Sequence, residues 1–164
     1  GIILKKKQQL KQMNEIKICP ANVEDVPVIH TLLAGLEEAM GTTGKVQCKV
    51  DDLRRFGFSD SPCFQALIAW RGTEAVGLAL FFREFSSWKG VPGVYVQDLY
   101  VTGRMRGTGL GRELMEAVYQ FARRWDADYC KLATRHDNEA AIAFYKRLGF
   151  NMIEDECVLV LEGL

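Results

Sequence analysis

The sequence has no apolar run that could cross a membrane and no excess of charge of either sign. Its longest apolar stretch, residues 75–82, is bounded by Glu74 and Arg83, whereas a membrane-spanning helix needs about 20 residues. The 21 basic residues balance the 21 acidic ones, so the chain as a whole lacks the positive charge that binds nucleic acid. We therefore expect neither a membrane nor a nucleic acid among its partners.

Cysteines that could pair with each other or hold a metal are also missing. The five cysteines form no Cys-x-x-Cys motif and no zinc-type spacing with either histidine. They stand at Cys19, Cys48, Cys63, Cys130 and Cys157. This pattern predicts reduced, buried thiols that act as small hydrophobic residues in a cytoplasmic protein, with neither a disulfide framework nor a metal.

What is present fits one globular domain. The chain has 164 residues, of which 48% are apolar, and this is enough to bury a sizeable core. Residues 1–12 differ from the rest because they contain four lysines but no turn and no periodic apolar face. We expect a tail there, either an extension ahead of a natural start at Met13 or a basic arm for a membrane or an acidic partner. Residues 13–164 would form the single domain.

The apolar pattern predicts an α/β or α+β order of elements. Alternating apolar residues and β-branched side chains predict strands, over residues 15–19, 64–70, 75–85, 94–101, 129–133, 152–153 and 157–161. An apolar stripe at Val26, Ile29, Leu33, Leu36 and Met40 predicts a helix that follows a capping box of Asn22 and Asp25. Further helices are expected over residues 50–56, 110–125 and 138–148, with Gly149 as a left-handed cap on the last.

A glycine-rich turn between a predicted strand and a long helix is the first chemical signal. Glycines at alternate positions leave the backbone bare, and the first N–H groups of the following helix bind phosphate together with the helix dipole. The candidate residues are Arg106, Gly107, Thr108, Gly109, Leu110, Gly111 and Arg112. The spacing fits neither a P-loop nor a dinucleotide fingerprint. A tight turn that needs glycine only for its geometry is the alternative.

The second signal lies in the helix predicted over residues 138–148. Seven helical residues separate Asn138 from Tyr145, so both lie on one face, with the small Ala141 between them. A ligand could fit against that face. The alternative is that Asn138 is only an N-cap and Tyr145 only a half-buried tyrosine.

Together the two motifs resemble the GNAT family of N-acetyltransferases. The turn reads Arg-Gly-Thr-Gly-Leu-Gly over residues 106–111, and residues 138–150 read Asn-x-x-Ala-x-x-Phe-Tyr-x-x-x-Gly-Phe. The resemblance covers the chain outside the tail. It implies one mixed, mostly antiparallel sheet with helices on both faces, and it implies acetyl-coenzyme A as co-substrate.

The resemblance also implies roles for individual residues. The backbone of the glycine turn would hold the diphosphate of acetyl-coenzyme A, and Leu99 and Val101 would offer backbone hydrogen bonds to its pantetheine arm. Asn138 would contact the same arm. Tyr145 would act as the general acid toward the departing thiolate.

A narrower resemblance links the chain to the diamine (spermidine/spermine) and thialysine N-acetyltransferases. It rests on residues 85–90 and 95–101, with Asp52-Leu53 and Gly57-Phe58, and it implies a homodimer. Two positions depart from that group, because Gln97 stands where it has a glutamate base and Ser86 where it has aspartate. An amide cannot take a proton, so the base is open at this stage.

The chemistry of acetyl transfer narrows the choice of base. Attack on a thioester needs a neutral nitrogen, and an alkylamine with a pKa near 10.4 is only about 0.04% neutral at pH 7. We place Asp98 first as the proton acceptor, with Glu84, His136 or an ordered water chain as alternatives. Side chains alternate along a strand, so Asp98 and Gln97 would point apart unless a bulge intervenes.

Trp88 and Gln97 complete the set of candidate residues, both at the acceptor. Trp88 would form an aromatic wall for a cationic amine or, alternatively, anchor its loop on the core. The leading hypothesis is transfer of acetyl to a primary amine of a small molecule, such as a polyamine, an amino acid or an aminoglycoside-like compound. A protein or peptide amine as acceptor, and a coenzyme A-binding module without catalysis, are the alternatives.

Overall fold

The structure, a computed structural model, describes all residues from Gly1 to Leu164. Contacts within the chain divide it into two units, Gly1–Ala133 and Thr134–Leu164. The helices of the first unit are α1 (Ile2–Asn14), α2 (Val26–Ala39), α3 (Val50–Gly57) and α4 (Leu110–Ala122). Its strands are β1 (Ile16–Pro20), β2 (Gln65–Arg71), β3 (Glu74–Ser86), β4 (Val91–Val101) and β5 (Tyr129–Leu132).

The five strands form one sheet in the order β1-β2-β3-β4-β5. Strands β1 to β4 are antiparallel, and β5 runs parallel to β4. A parallel neighbour needs a crossover connection, which α4 supplies between β4 and β5. The predicted mixed, mostly antiparallel sheet is confirmed, and so is each of the five strands predicted before residue 134.

Helices cover both faces of the sheet, as expected. One core cluster joins α2 and α3 to the sheet through Val26, Ile29, Leu32, Leu53, Ala66, Ile68 and Leu78. On the opposite face α4 buries Leu114, Met115 and Val118, and the Phe81 ring meets Phe121 of α4 edge-on at 5.4 Å. The apolar stripes predicted for the helices therefore face the sheet. Two positions around α2 differ from the prediction, because Leu32 is buried whereas Met40 is exposed.

The capping motif predicted ahead of α2 is present in the structure. Asn22 accepts from the backbone of Glu24 and Asp25 accepts from the backbone of Asn22, so the predicted capping box forms ahead of α2. The segment ahead of β1 is the helix α1, which buries no residue. No helix in the structure combines the length and apolarity needed to traverse a bilayer.

The second unit contains one helix, α5 (Glu139–Arg147), with Asn138 as its N-cap. Gly149 follows the helix with a φ of +98°, which is the predicted left-handed cap. The two closing strands predicted over residues 152–153 and 157–161 are wrong, because the chain after Gly149 has no strand. Val158 to Leu161 have β-forming side chains and are 77–89% exposed. Propensity alone supplies no partner strand, and a strand exists only through its partner.

The prediction of buried thiols is also wrong. All five cysteines are free, but Cys19, Cys63 and Cys157 are exposed and only Cys48 and Cys130 are half-buried. Burial raises the pKa of Cys130 to about 12 and raises that of Cys48 as well. Both half-buried thiols are therefore protonated at neutral pH and are poor nucleophiles.

Candidate active site

An extra residue in β4 decides which way its side chains point. Leu80 of β3 pairs with Asp98 while Phe81 pairs with Val96, so Gln97 is the added residue of a β-bulge. Before the bulge, Val96 lies on the α4 face, which its partner Phe81 shares. After it, Asp98 and Tyr100 lie on the α2 face, where Tyr100 packs against the core cluster. The bulge thus turns Asp98 toward α2 and α3.

The bulge also marks where β4 loses its second neighbour. Pairing with β5 runs from Gly93 to Val96, and residues 97–101 have β3 as their one neighbouring strand. The N–H of Thr102 donates to Val76 of β3. Along a strand of an antiparallel pair, the backbone N–H and C=O groups of successive residues point alternately toward the partner strand and away from it. Since Thr102 points toward β3, the backbone groups of Leu99 and Val101 point away from β3, into the open edge.

The glycine turn places bare backbone next to this open edge. Gly107 and Gly109 have φ values of +75° and +87°, and a Cβ at either position would meet no atom within 4 Å. Gly109 is the N-cap of α4. No hydrogen bond within the chain uses the N–H groups of Gly107, Gly109, Leu110, Gly111 and Arg112. Five free donors at the positive end of a helix dipole form an anion-binding surface.

The arginines of the turn differ in their surroundings. Arg104 pairs with Glu74, which also binds Arg71, and these contacts, first the Arg71 hydrogen bond, lower the pKa of Glu74. Arg106 and Arg112 are exposed and have no ion pair. Their positive charge is therefore available to an anion at the turn.

Asp98 is the carboxylate of the open-edge stretch of β4. It is half-buried, it makes no hydrogen bond or ion pair within the chain, and desolvation raises its pKa. Cys48 lies in the loop ahead of α3, and the charges of Asp52 and then Asp98 raise its thiol pKa beyond the effect of burial, which places Cys48 near Asp98. Sequence reasoning did not place Cys48 there, since no local pattern links residues 50 positions apart. A carboxylate with a raised pKa is a stronger proton acceptor than an exposed one.

Gln97 and Trp88, the other two residues predicted to contact the acceptor, lie at different distances from Asp98. Gln97 is exposed at the bulge itself. Trp88 is fully exposed in the turn between β3 and β4. Ten residues of chain separate Trp88 from Asp98, most of them in an extended strand, so the two lie roughly 25–30 Å apart. The structure does not bring Trp88 to the bulge.

The second unit holds the remaining two candidates on one helix. The Asn138 side chain accepts a hydrogen bond of 3.2 Å from the Ala141 N–H, as an N-cap does. The Tyr145 ring is half-buried between two phenylalanines, with centroids 5.1 Å from Phe144 and 5.6 Å from Phe150, both edge-on. These contacts set the direction of the ring relative to α5.

Comparison with known proteins places this arrangement in one family. The model of the acetyltransferase (GNAT) family matches residues 32–150. The mouse thialysine N-epsilon-acetyltransferase is 29% identical over 145 residues, 84% of this chain and 85% of that protein. An L-methionine sulfoximine/L-methionine sulfone acetyltransferase of Pseudomonas paraeruginosa is 29% identical over 137 residues, 80% of this chain and 78% of that protein.

A solved structure shares the fold at lower sequence similarity. It is an aminoglycoside acetyltransferase from an uncultured soil metagenomic sample, with a TM-score of 0.76 and 22% identity over 90% of this chain and 99% of that one. The family match runs from within α2 to just past α5 and includes both the bulged strand and the glycine turn. The chain belongs to the GNAT family of acetyltransferases, as its two motifs predicted.

Proposed function

We propose that this protein transfers the acetyl group of acetyl-coenzyme A directly to a primary amine of a small molecule, within one ternary complex. The observation that supports this most strongly is the pair of open backbone surfaces, on β4 after the bulge and on the glycine turn. Their order along the chain suits a ligand with an amide-containing arm and a diphosphate. The relatives named above act on small amines, which favours a small-molecule acceptor over a protein amine.

In this proposal the main chain holds the co-substrate. The N–H groups of residues 107 and 109–112 bind the diphosphate, with Arg106 and Arg112 adding positive charge. The outward backbone groups of Leu99 and Val101 pair with the amides of the pantetheine arm, as a further strand would. Asn138 contacts that arm from α5.

Two side chains handle the protons. Asp98 accepts the proton that the acceptor amine must lose, a loss that is unfavourable by about 4–5 kcal/mol for a free alkylamine at pH 7. Tyr145 donates a hydrogen bond to the sulfur as the thiolate departs. A thiol pKa near 8.5 and a tyrosine pKa near 10 make full proton transfer uphill by about 2 kcal/mol, so a strong hydrogen bond is the greater part of its effect.

The test of this function is to follow free thiol while acetyl-coenzyme A is incubated with a panel of polyamines, amino acids and aminoglycosides. Acetyl-coenzyme A at 100 times its Kd should add about 2.7 kcal/mol of stability, which raises Tm by about 5–10 °C for a chain of this size. Stabilisation without turnover on any amine would favour a coenzyme A-binding module. Gln97 is the reason to test for such a module, because an amide stands where the related enzymes have a glutamate base. Absence of both effects would reject the function and the module together.

We also propose a cytoplasmic homodimer with residues 13–164 as the domain. Five free thiols suit a reducing compartment, and the exposed apolar residues 158–161 offer a surface that a second copy could cover. Light scattering on the purified chain tests the dimer. Because α1 buries nothing, removal of residues 1–12 should leave Tm and turnover within error of the full chain, and a loss of either would contradict this domain boundary.

A further inference from the structure

Glu37, near the end of α2, is the one charged side chain that the fold buries. It is 9% exposed and forms no ion pair. A buried carboxylate is unfavourable unless hydrogen bonds satisfy it. The Oε1 of Glu37 accepts from the backbone N–H groups of Lys45 and Val46, at 2.5 and 2.7 Å. Glu37 therefore holds the α2–α3 loop, residues 40–49, and neither proton step of the proposed reaction uses this carboxylate.

A second side chain of α2 holds the far end of the same loop. The Nε2 of His30 lies 3.0 Å from the backbone oxygen of Cys48. Because a carbonyl oxygen can only accept, His30 carries a proton on Nε2 and donates it. At the near end of the loop, the N–H and the hydroxyl of Thr42 both donate to the backbone oxygen of Glu37, at 3.0 and 3.3 Å. The α2–α3 loop thus has a defined path that α2 sets at both ends.

The α2–α3 loop ends at the sheet face that carries Asp98. On this face, a Cβ at Gly35 of α2 would stand 2.7 Å from the hydroxyl of Tyr100, so α2 lies directly against β4 after the bulge. Cys48 packs against the same core cluster as Tyr100. Burial, Asp52 and then Asp98 raise the pKa of the Cys48 thiol. The end of the loop therefore lies beside the carboxylate that the proposed mechanism uses as base.

We propose that Glu37 and His30 are positioning residues of the acceptor site, which hold the α2–α3 loop so that Cys48 forms one wall of the acceptor pocket beside Asp98. The proposal rests on the acetyl-transfer function above and adds the element that shapes its acceptor side. Reacting groups must be held closely, since a displacement of about 1 Å can lower a rate about 100-fold. Release of the loop should therefore impair use of the amine and spare the co-substrate, whose proposed contacts come from other residues.

Glu37→Ala removes the acceptor of both loop N–H groups. For each amine that the parent acetylates, from a panel of polyamines, amino acids and aminoglycosides, kcat/KM should fall about 10- to 100-fold. The Kd of acetyl-coenzyme A, measured by calorimetry, should stay within error of the parent value. Glu38→Ala, at the exposed neighbouring position of α2, is the matched control and should alter neither quantity. Equal losses for amine and co-substrate in Glu37→Ala would indicate a general loss of structure and overturn the proposal.

Conservative variants separate positioning from folding. Glu37→Gln keeps an oxygen that can accept both N–H bonds, although a neutral acceptor forms bonds about half as strong, so it should recover most of the activity that Glu37→Ala loses. His30→Ala removes one neutral hydrogen bond and should lower kcat/KM about 3- to 10-fold, and His30→Gln, which restores an N–H donor, should recover part of that loss. If Glu37→Gln were as impaired as Glu37→Ala at an unchanged Tm, the charge and not the loop would matter, and the proposal would fail.

Alkylation of Cys48 reports the position of the loop without any turnover. In the parent chain, half-buried Cys48 should react with iodoacetamide more slowly than exposed Cys19, because its thiol pKa is raised. Mass spectrometry of the peptides gives both rates, and Glu37→Ala should raise the ratio of the Cys48 rate to the Cys19 rate toward one. An unchanged ratio would overturn the proposal even if acetylation proceeds. If the parent acetylates no amine, the transfer function fails by itself, and a raised ratio would still support the hold of Glu37 on the loop beside Asp98.

Discussion

The two motifs that the sequence singled out offer different kinds of chemical group. From the bulge at Gln97 to the start of α4, the protein offers mainly backbone: open strand groups at Leu99 and Val101 and free N–H groups in the turn. Helix α5 offers side chains, with Asn138 at its cap and Tyr145 between two phenylalanines. We therefore expect the first region to tolerate changes of side chain but not of conformation, and the second to depend on individual functional groups.

The largest effect should come from Asp98, the one carboxylate between Gln97 and the start of α4. Asp98→Asn removes the proton acceptor and should lower kcat/KM about 100- to 10,000-fold, the range for a positioned acid or base. The rate should also lose its dependence on deprotonation of this group, which a pH profile would reveal. An unchanged pH profile would show that Asp98 is not the base. The strand region would then contribute backbone groups alone, and another group would accept the proton.

Tyr145→Phe tests whether α5 contributes through a single functional group, the Tyr145 hydroxyl. It keeps the ring contacts with Phe144 and Phe150 and removes the hydroxyl, so kcat should fall about 10- to 1000-fold. The KM for acetyl-coenzyme A should stay nearly constant. Tyr119→Phe, on α4, serves as the control, and equal losses in the two variants would remove Tyr145 from the mechanism.

Gly109→Ala tests the backbone region by conformation alone. A side chain at a φ of +87° is strained by about 1 kcal/mol, and its methyl group would lie on the proposed diphosphate surface, so Kd for coenzyme A should rise about 10-fold. Gly44→Ala is a matched control, because Gly44 has a φ of +86° and equally open surroundings. Both variants should lose similar stability in thermal melts. Weaker binding in both would show that the loss is not specific to the turn.

The smallest effect concerns stability as a function of pH. Desolvation raises the pKa of folded Asp98 above its ordinary 3.8, so the folded state binds the proton more tightly than the unfolded state does. The stability this contributes is fully present below the unfolded pKa and is lost as pH rises through the folded one. Asp98→Asn should therefore match the parent Tm at low pH and equal or exceed it at neutral pH. A lower Tm at neutral pH would mean that the charged carboxylate has a stabilising partner.

Sequence reasoning reached the local features and missed those that depend on a neighbour. The capping box at Asn22, the cap at Gly149 and the turn at Gly107 and Gly109 depend on interactions between residues close in sequence, so the local residue types predict them. The strands expected over residues 152–153 and 157–161 had suitable side chains but no partner. The length of β4 separates Trp88 from Asp98, and a role for Trp88 at the acceptor stays a prediction.

The amino-acid sequence by itself determined the family, the order of elements from β1 to α5 and the glycine turn, because each is encoded by residue types at fixed spacings. Only the tertiary structure decided which face Asp98 occupies, since one added residue in β4 reverses the alternation and leaves no mark in composition. The tertiary structure also brought Cys48 close to Asp98. Burial and pairing depend on strands brought together from distant parts of the chain, and a linear pattern does not contain them.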